Sequence, residues 1–297
     1  MSAAGTARRG RVRLDELVVA RGMAGSRAEA QRLILAGQVR LPGGASAKPG
    51  RLIASDVPVT LVRRAPFVGR GGEKLLAALE AFGVAAEGRV CLDVGASTGG
   101  FTDCLLARGA RRVHALDVGH GQLHPRLRTD PRVVVWESVN ARHLKPEGFP
   151  DHPDLAVVDV SFISLDKVLP AVARCLADPA EIVALVKPQF EVGRGQVGKG
   201  GVVRACEARR GAVRQVAAAA GAIGLRVGGV AASALRGPKG NREVFLLLAR
   251  DLGPRPPLEA AAFDAALAEA VPEGTEPEGP TRRKAPTRQS GRHGGGA

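Results

Sequence analysis

One stretch limits the folds open to this chain: Val90-Cys91-Leu92-Asp93-Val94-Gly95-Ala96-Ser97-Thr98-Gly99-Gly100-Phe101-Thr102-Asp103-Cys104-Leu105-Leu106. It begins as the apolar run that a strand buried on both faces requires. It turns through Gly95, Gly99 and Gly100, with only Ala96, Ser97 and Thr98 between them. It resumes at helical spacing with Phe101, Cys104 and Leu105. Glycine in such a turn lets the backbone approach a ligand with no Cβ in the way, and the new helix starts with unpaired N–H groups. Further on, Ala115-Leu116-Asp117-Val118 closes a second apolar strand with an acid. An acid about twenty residues past the glycine turn can accept hydrogen bonds from both hydroxyls of a ribose.

Two cofactor classes compete for such a turn. A dinucleotide site shows Gly-x-Gly-x-x-Gly beneath a pyrophosphate. Here the spacing is Gly95-x-x-x-Gly99-Gly100, with Asp93 just before it. A carboxylate there disfavours a pyrophosphate and suits a cationic ligand. S-adenosylmethionine, with its amine and sulfonium, is therefore preferred over a nicotinamide cofactor or a turn with no ligand. The expected cofactor contacts are Asp93, Gly95, Ser97, Gly99, Gly100, Phe101, Asp117, Asn140 and Asp159.

Strand and helix patterns alternate from Gly71 to Leu248, which predicts an α/β fold with a mostly parallel, doubly wound sheet. Ligands of such sheets sit outside the carboxyl ends of the strands. Asp93, Gly95, Asp117, Asn140, Asp159 and Lys187 all fall at those ends. Phe190 to Val203 reads as a glycine-rich loop and Glu259 to Ala270 as a helix.

The rest of the chain divides by composition. Residues 1–10 are expected to be disordered and 11–62 to form a small α+β module. Within it, Ser26-Arg27-Ala28-Glu29 has the form of a capping box. Residues 63–70 make a short basic linker, and 71–252 hold the α/β domain. Residues 253–297, rich in proline, glycine and basic residues, are expected to be a mostly disordered tail. The 297 residues carry 43 Lys+Arg against 29 Asp+Glu, a net charge of +14, which points to a polyanionic partner. In the module, Arg13, Arg21, Arg27, Arg32, Arg40, Lys48 and Arg51 face few acids and are the candidate RNA contacts.

Several classes are disfavoured. The four cysteines share no Cys-x-x-Cys spacing, so neither a metal site nor a disulfide framework is expected, in keeping with a reducing cytoplasm. Met1 to Arg13 lacks the apolar core of a signal peptide. No uncharged apolar run approaches the ~18 residues of a membrane span. Aromatics are 3% of the chain, which argues against a surface of stacking rings for single-stranded bases.

Two resemblances sharpen this reading. Ser26-Arg27-x-x-Ala30-x-x-Leu33-Ile34-x-x-Gly37-x-Val39 resembles the S4 RNA-binding domain, with a departure at Arg40-Leu41-Pro42-Gly43-Gly44. Phe67 to Leu75, Asp93 to Phe101, Val158 to Leu165, Leu185 to Glu191 and Lys239 to Glu243 resemble the TlyA (hemolysin A) proteins, which join an S4 domain to an FtsJ-like methyltransferase domain. That resemblance implies a Rossmann-like class I methyltransferase with a seven-stranded sheet. It also implies S-adenosylmethionine-dependent 2′-O-methylation of cytidine in ribosomal RNA, in both subunits or the large one alone. By motif, it places a catalytic tetrad on Lys74, Asp159, Lys187 and Glu243. Lys187 is then the group facing the attacking hydroxyl, as neutral base or as cationic donor. Ribosomal RNA or a ribosomal subunit is the implied partner. The alternatives are a membrane-lytic protein, as the hemolysin name suggests, and a non-catalytic RNA-binding assembly factor.

The acceptor can also be argued from the residues. After strand four the chain reads Asp159-Val160-Ser161-Phe162, without the paired prolines of exocyclic-amine methyltransferases. Carbon-5 chemistry needs a nucleophilic cysteine, and Cys91 and Cys175 fall within a strand and a helix. Two lysines and two acids remain, a set suited to an alcohol.

Overall fold

The structure is a computed structural model, and it describes residues 10–61 and 66–273. The expected disorder at 1–9 and 274–297, and residues 63–65 of the expected linker, lie outside the described residues. The chain separates into two compact units, residues 1–66 and 67–297.

The first unit contains β1 (Arg11–Arg13), α1 (Leu14–Ala20), α2 (Arg27–Leu35), β2 (Val39–Arg40), β3 (Leu52–Ala54) and β4 (Thr60–Leu61). β1 pairs antiparallel with β3, and β2 with β4. The Ser26 hydroxyl accepts from the Glu29 N–H at 3.2 Å, while Glu29 reaches back to the Gly25 N–H at 2.8 Å. That is the capping box, displaced by one residue on its return bond. Leu14, Val18, Ala30, Ile34 and Val39 close a core of its own.

Asp15 is the polar centre of this unit. It is fully buried and accepts from Arg13 (2.9 and 3.0 Å), Arg27 (3.2 Å) and Gln31 (2.8 Å). The Arg13 guanidinium holds its carboxyl well below the usual carboxylate range. Arg13 and Arg27 therefore do not fit the expectation of cations that face few acids. Arg21 is spent on the carbonyls of Ser55 and Val57, and Arg51 on that of Ser46. Arg32, Arg40 and Lys48 are exposed and, among the described residues, pair with no acid. Removing Asp15 breaks the buried bonds that join Arg13, Arg27 and Gln31, and leaves the two arginines only Glu16, at 3.8 and 3.6 Å, so Asp15→Ala should cost about 2–3 kcal/mol. A unit this small has little to spare, and differential scanning calorimetry should show its transition lowered or lost while that of residues 67–273 stays in place.

The second unit is built on one seven-stranded sheet. Its elements are α3 (Gly71–Phe82), β5 (Val90–Val94), α4 (Gly100–Ala107), β6 (Arg112–Leu116), α5 (Pro125–Arg128), β7 (Val133–Trp136), β8 (Leu155–Val158), α6 (Leu169–Cys175), β9 (Glu181–Val186), α7 (Pro188–Glu191), α8 (Cys206–Ala222), β10 (Arg226–Ala232), β11 (Val244–Ala249) and α9 (Ala260–Ala270). The strand order is β10-β11-β9-β8-β5-β6-β7, with β11 antiparallel to both neighbours and the other pairs parallel. One apolar cluster packs Leu75, Leu79, Phe101, Leu105 and Leu127 on one face. A second packs Leu169, Val172, Val213, Val216 and Leu267 on the other. This is the three-layer, doubly wound arrangement.

The unit extends past the expected boundary at residue 252. Leu267, Ala270 and Val271 are buried in the second cluster, so α9 belongs to the core and not to a tail. The expected loop from Phe190 to Val203 is also more structured: it begins inside α7 and closes a Gly198–Val202 bridge.

Candidate active site

The sheet register creates the site. Val94 pairs with both Leu116 and Val158, so Gly95, Asp117 and Asp159 leave three adjacent strands at one level. The chain crosses from β7 on one side to β8 on the other at this point, which opens the crevice where ligands of such sheets bind. Because β11 runs antiparallel and pairs Val244 with Val186, Glu243 enters that strand at the level where Lys187 leaves β9. One reversed strand thus brings the late Glu243 to the same edge as the carboxyl ends of the others.

Two clefts meet there. The first, of about 460 Å³, is lined by Gly95, Ser97, Asp117, Asn140 and Asp159, with Val118, Val139, Ala141, Ile163 and Val168 as apolar walls. Asp117 accepts from the Ser97 N–H and the Gly119 N–H, both at 2.7 Å. Each of its oxygens keeps a further lone pair for a ligand donor. Gly95 stands at φ +92°, and a Cβ there would lie 2.6 Å from the Asp159 carbonyl oxygen. This glycine is what lets the ends of β5 and β8 close together.

The second cleft, of about 530 Å³, holds Lys74, Asp159, Lys187 and Glu243. Asp159, Ser161 and Phe162 line both clefts. Lys74 Nζ is 2.5 Å from Glu243 Oε2, a pair almost wholly buried. Lys187 Nζ is 2.5 Å from Asp159 Oδ1 and 2.9 Å from Ser161 Oγ. The structure therefore gathers all four residues of the implied tetrad, as two ion pairs at one mouth. Arg70, Arg236 and Lys239 add positive charge to the same cleft.

Lys74 is placed by the glycines before it. A Cβ on Gly72 would run into the Phe67 ring at 2.3 Å, and one on Gly100 would meet Gly72 N at 3.0 Å and Gly69 O at 3.1 Å. The start of α3 therefore lies directly on the start of α4, with no room for side chains between them.

Four expected cofactor contacts do not line the first cleft. Phe101 is buried against Phe245, with ring centroids 6.2 Å apart. A Cβ on Gly99 would collide with Leu127 at 2.2 Å, and Gly100 packs on α3. These three shape the turn from beneath. Asp93 is fully buried, accepts from the Thr102 hydroxyl at 2.6 Å, and burial pushes its carboxyl up to about 7. The acids that face the cleft are Asp117 and Asp159, so the negative character inferred from Asp93 is supplied by those two.

Asp93 gives the unit a pH dependence. Its folded pKa lies above the ordinary value of about 4, so the folded state binds the extra proton and stability falls as pH rises from about 4 to about 7. Asp93→Asn should flatten that slope. Thermal melts of parent and variant from pH 5 to 8 should converge at the acid end and separate at pH 8, with the variant the more stable.

Phe162 was not singled out by the sequence. It is 91% exposed, stands at φ +65°, and lies 5.0 Å from the Phe190 ring at the wall between the clefts. Low aromatic content therefore does not mean that no ring is offered to a base. Cys91, Cys104 and Cys175 offer no nucleophile: burial pushes the Cys91 and Cys104 thiols up to about 12 and that of Cys175 up to about 11. His114 is structural, held between Asp151 (2.9 Å) and the Trp136 indole N–H (3.1 Å).

Known proteins share this plan. A sequence profile of the FtsJ-like methyltransferases matches residues 67–250, and one of the S4 domain matches residues 12–51. The 16S/23S rRNA (cytidine-2′-O)-methyltransferase TlyA of Mycobacterium tuberculosis is 50% identical over 266 residues, 89% of this chain and 98% of that protein. The chain belongs to the TlyA family of FtsJ-like methyltransferases. Hemolysin A of Brachyspira hyodysenteriae is 47% identical over 194 residues, 65% of this chain and 81% of its own. A solved structure from Streptococcus thermophilus, provisionally titled a hemolysin, superposes with a TM-score of 0.66 at 38% identity, covering 88% of this chain and 96% of that one. As a family member the chain is an enzyme, a methyltransferase with an S4 domain. Among the described residues, no helix is long and apolar enough to cross a membrane.

Proposed function

We propose that this chain transfers a methyl group from S-adenosylmethionine to the 2′-hydroxyl of cytidine in ribosomal RNA, the reaction for which its M. tuberculosis relative is named. The observation that carries the reading is the meeting of two clefts at Asp159: one fits a nucleoside cofactor, and the other gathers two lysines and two acids.

The first cleft suits the cofactor on the chemistry of its walls. Asp117 would hold the ribose hydroxyls, while Val118, Val139 and Asn140 would border the adenine. When bound, S-adenosylmethionine supplies an electrophilic methyl group on its sulfonium. The protein's task is then to present an alcohol oxygen and manage its proton. Lys187, tethered by Asp159 and Ser161, faces the charge that develops on that oxygen. Lys74 and Glu243 line the same cleft as a second ion pair, and Glu243 Oε1 is buried without a hydrogen-bond partner among the described residues, an acceptor open to a substrate donor. Holding the two reactants at one edge supplies much of the acceleration. Phe162 offers a ring face for a base beside the tetrad.

The first unit, with exposed Arg32, Arg40 and Lys48, supplies affinity for the phosphate backbone rather than chemistry. This arrangement favours an enzyme over a non-catalytic assembly factor, since a pure binding protein has no use for two ion pairs held at a cleft. The test is isothermal titration with S-adenosylmethionine, followed by labelled-methyl transfer to isolated ribosomal subunits. Micromolar binding with label in ribosomal RNA is expected. Binding without transfer to either subunit would leave the assembly-factor reading.

A further inference from the structure

The two segments that carry the reacting groups are tied together by a side chain outside the tetrad. Glu191, the last residue of α7, is 7% exposed. Its Oε2 accepts from the Ser164 hydroxyl at 2.5 Å, and its Oε1 accepts from the Leu165 N–H at 3.0 Å. Ser164 in turn caps the short turn Leu165–Lys167. Glu191 thus clamps the segment after β8, which holds Asp159, Ser161 and Phe162, to the segment after β9, which holds Lys187 and Phe190.

Past the last β8–β9 register pair, Val158 with Ala184, the ladder no longer joins these two strands to each other; β9 runs on to Val186 against β11 alone. Among the described residues, the other polar links between the two segments are the bonds of Lys187 to Asp159 and Ser161. Those bonds belong to groups that must exchange partners when an acceptor arrives. Phe162 at φ +65° adds a backbone conformation that a non-glycine residue holds only when its surroundings impose it. Burial pushes the Glu191 carboxyl above its ordinary value, which marks the cost of placing it there.

Resting on the reading of this site as a methyl-transfer centre, we infer that Glu191, through Ser164 and Leu165, is a positioning residue that holds Asp159 and Lys187 in register while Lys187 is engaged with substrate. It touches no reacting atom. Its effect is to keep the two segments together independently of the catalytic ion pair.

The test compares full-length Glu191→Ala and Ser164→Ala with the parent and with Lys187→Ala. In Glu191→Ala, kcat on ribosomal subunits should fall about 30-fold or more, with KM for RNA and the cofactor Kd within about threefold. Hydrogen exchange in 159–165 should quicken at least about tenfold while that of β8 stays unchanged. Ser164→Ala should lose less, and the double variant should be no worse than Glu191→Ala, since both act through one clamp. Parental kcat in folded Glu191→Ala would overturn the inference. So would a loss of kcat matched by equal weakening of cofactor binding and faster exchange throughout 67–250, the signature of a merely structural residue. If the parent itself transfers no methyl group, the functional reading fails, and local exchange in 159–165 still decides whether the clamp exists.

Discussion

Lys187→Ala is expected to lower methyl transfer by about 10³-fold while leaving the affinity for S-adenosylmethionine within about threefold. The magnitude is that of removing one preorganised group aimed at developing charge. The selectivity follows from position. Lys187 lines the second cleft and is absent from the walls of the first, where the cofactor is proposed to sit. Its Nζ is held by Asp159 Oδ1 at 2.5 Å and Ser161 Oγ at 2.9 Å, so its loss also leaves Asp159 without that partner. Arginine should not rescue the variant: its flat guanidinium cannot occupy the position of the compact lysine Nζ between those two partners. Single-turnover kinetics with prebound cofactor, beside calorimetric titration of the same sample, checks both halves. A fully active variant would remove Lys187 from the mechanism.

The second large effect is expected at Asp117. Asp117→Ala should weaken cofactor binding by roughly 1.5–3 kcal/mol per charge-assisted hydrogen bond removed, which for two ribose hydroxyls is at least about a hundredfold. The loss has a second source. Asp117 accepts from the Ser97 and Gly119 amides at 2.7 Å each, so it also ties the glycine turn to the end of β6. Ser97 stands at φ +51°, a conformation that this bond helps to hold. Asp117→Asn keeps one acceptor and should lie between parent and alanine. Unchanged affinity in Asp117→Ala would place the cofactor elsewhere.

Much of this architecture was legible in the sequence because buried parallel strands and amphipathic helices differ in period and length. Val90–Val94, Arg112–Leu116 and Leu155–Val158 read as strands because they are short apolar runs ended by turn residues. The level of Gly95, Asp117 and Asp159 followed from the rule for strand ends. Other features were less open to such reading. A strand buried on both faces has no alternation to say which side chain meets a ligand, so Asp93 looked like a cleft acid when it is fully enclosed. The three-residue β1 is too short to carry a pattern. α9 was expected as a helix but not as part of the core, since an alanine-rich stretch after prolines carries little sign of burial. The tetrad came from motif resemblance, because pairing Lys74 with Glu243 depends on the antiparallel register of β11. The local sequence also held no sign of the exposure of Phe162 or the burial of Glu191, since both are set by contacts between distant segments.

The central claim is that the acceptor is a ribose hydroxyl of cytidine in ribosomal RNA. The most direct measurement is mass spectrometry of nucleosides from ribosomal subunits incubated with the enzyme and S-adenosylmethionine. 2′-O-methylcytidine should appear with the parent and be absent with Lys187→Ala. A base-methylated nucleoside as the only new product would contradict the claim.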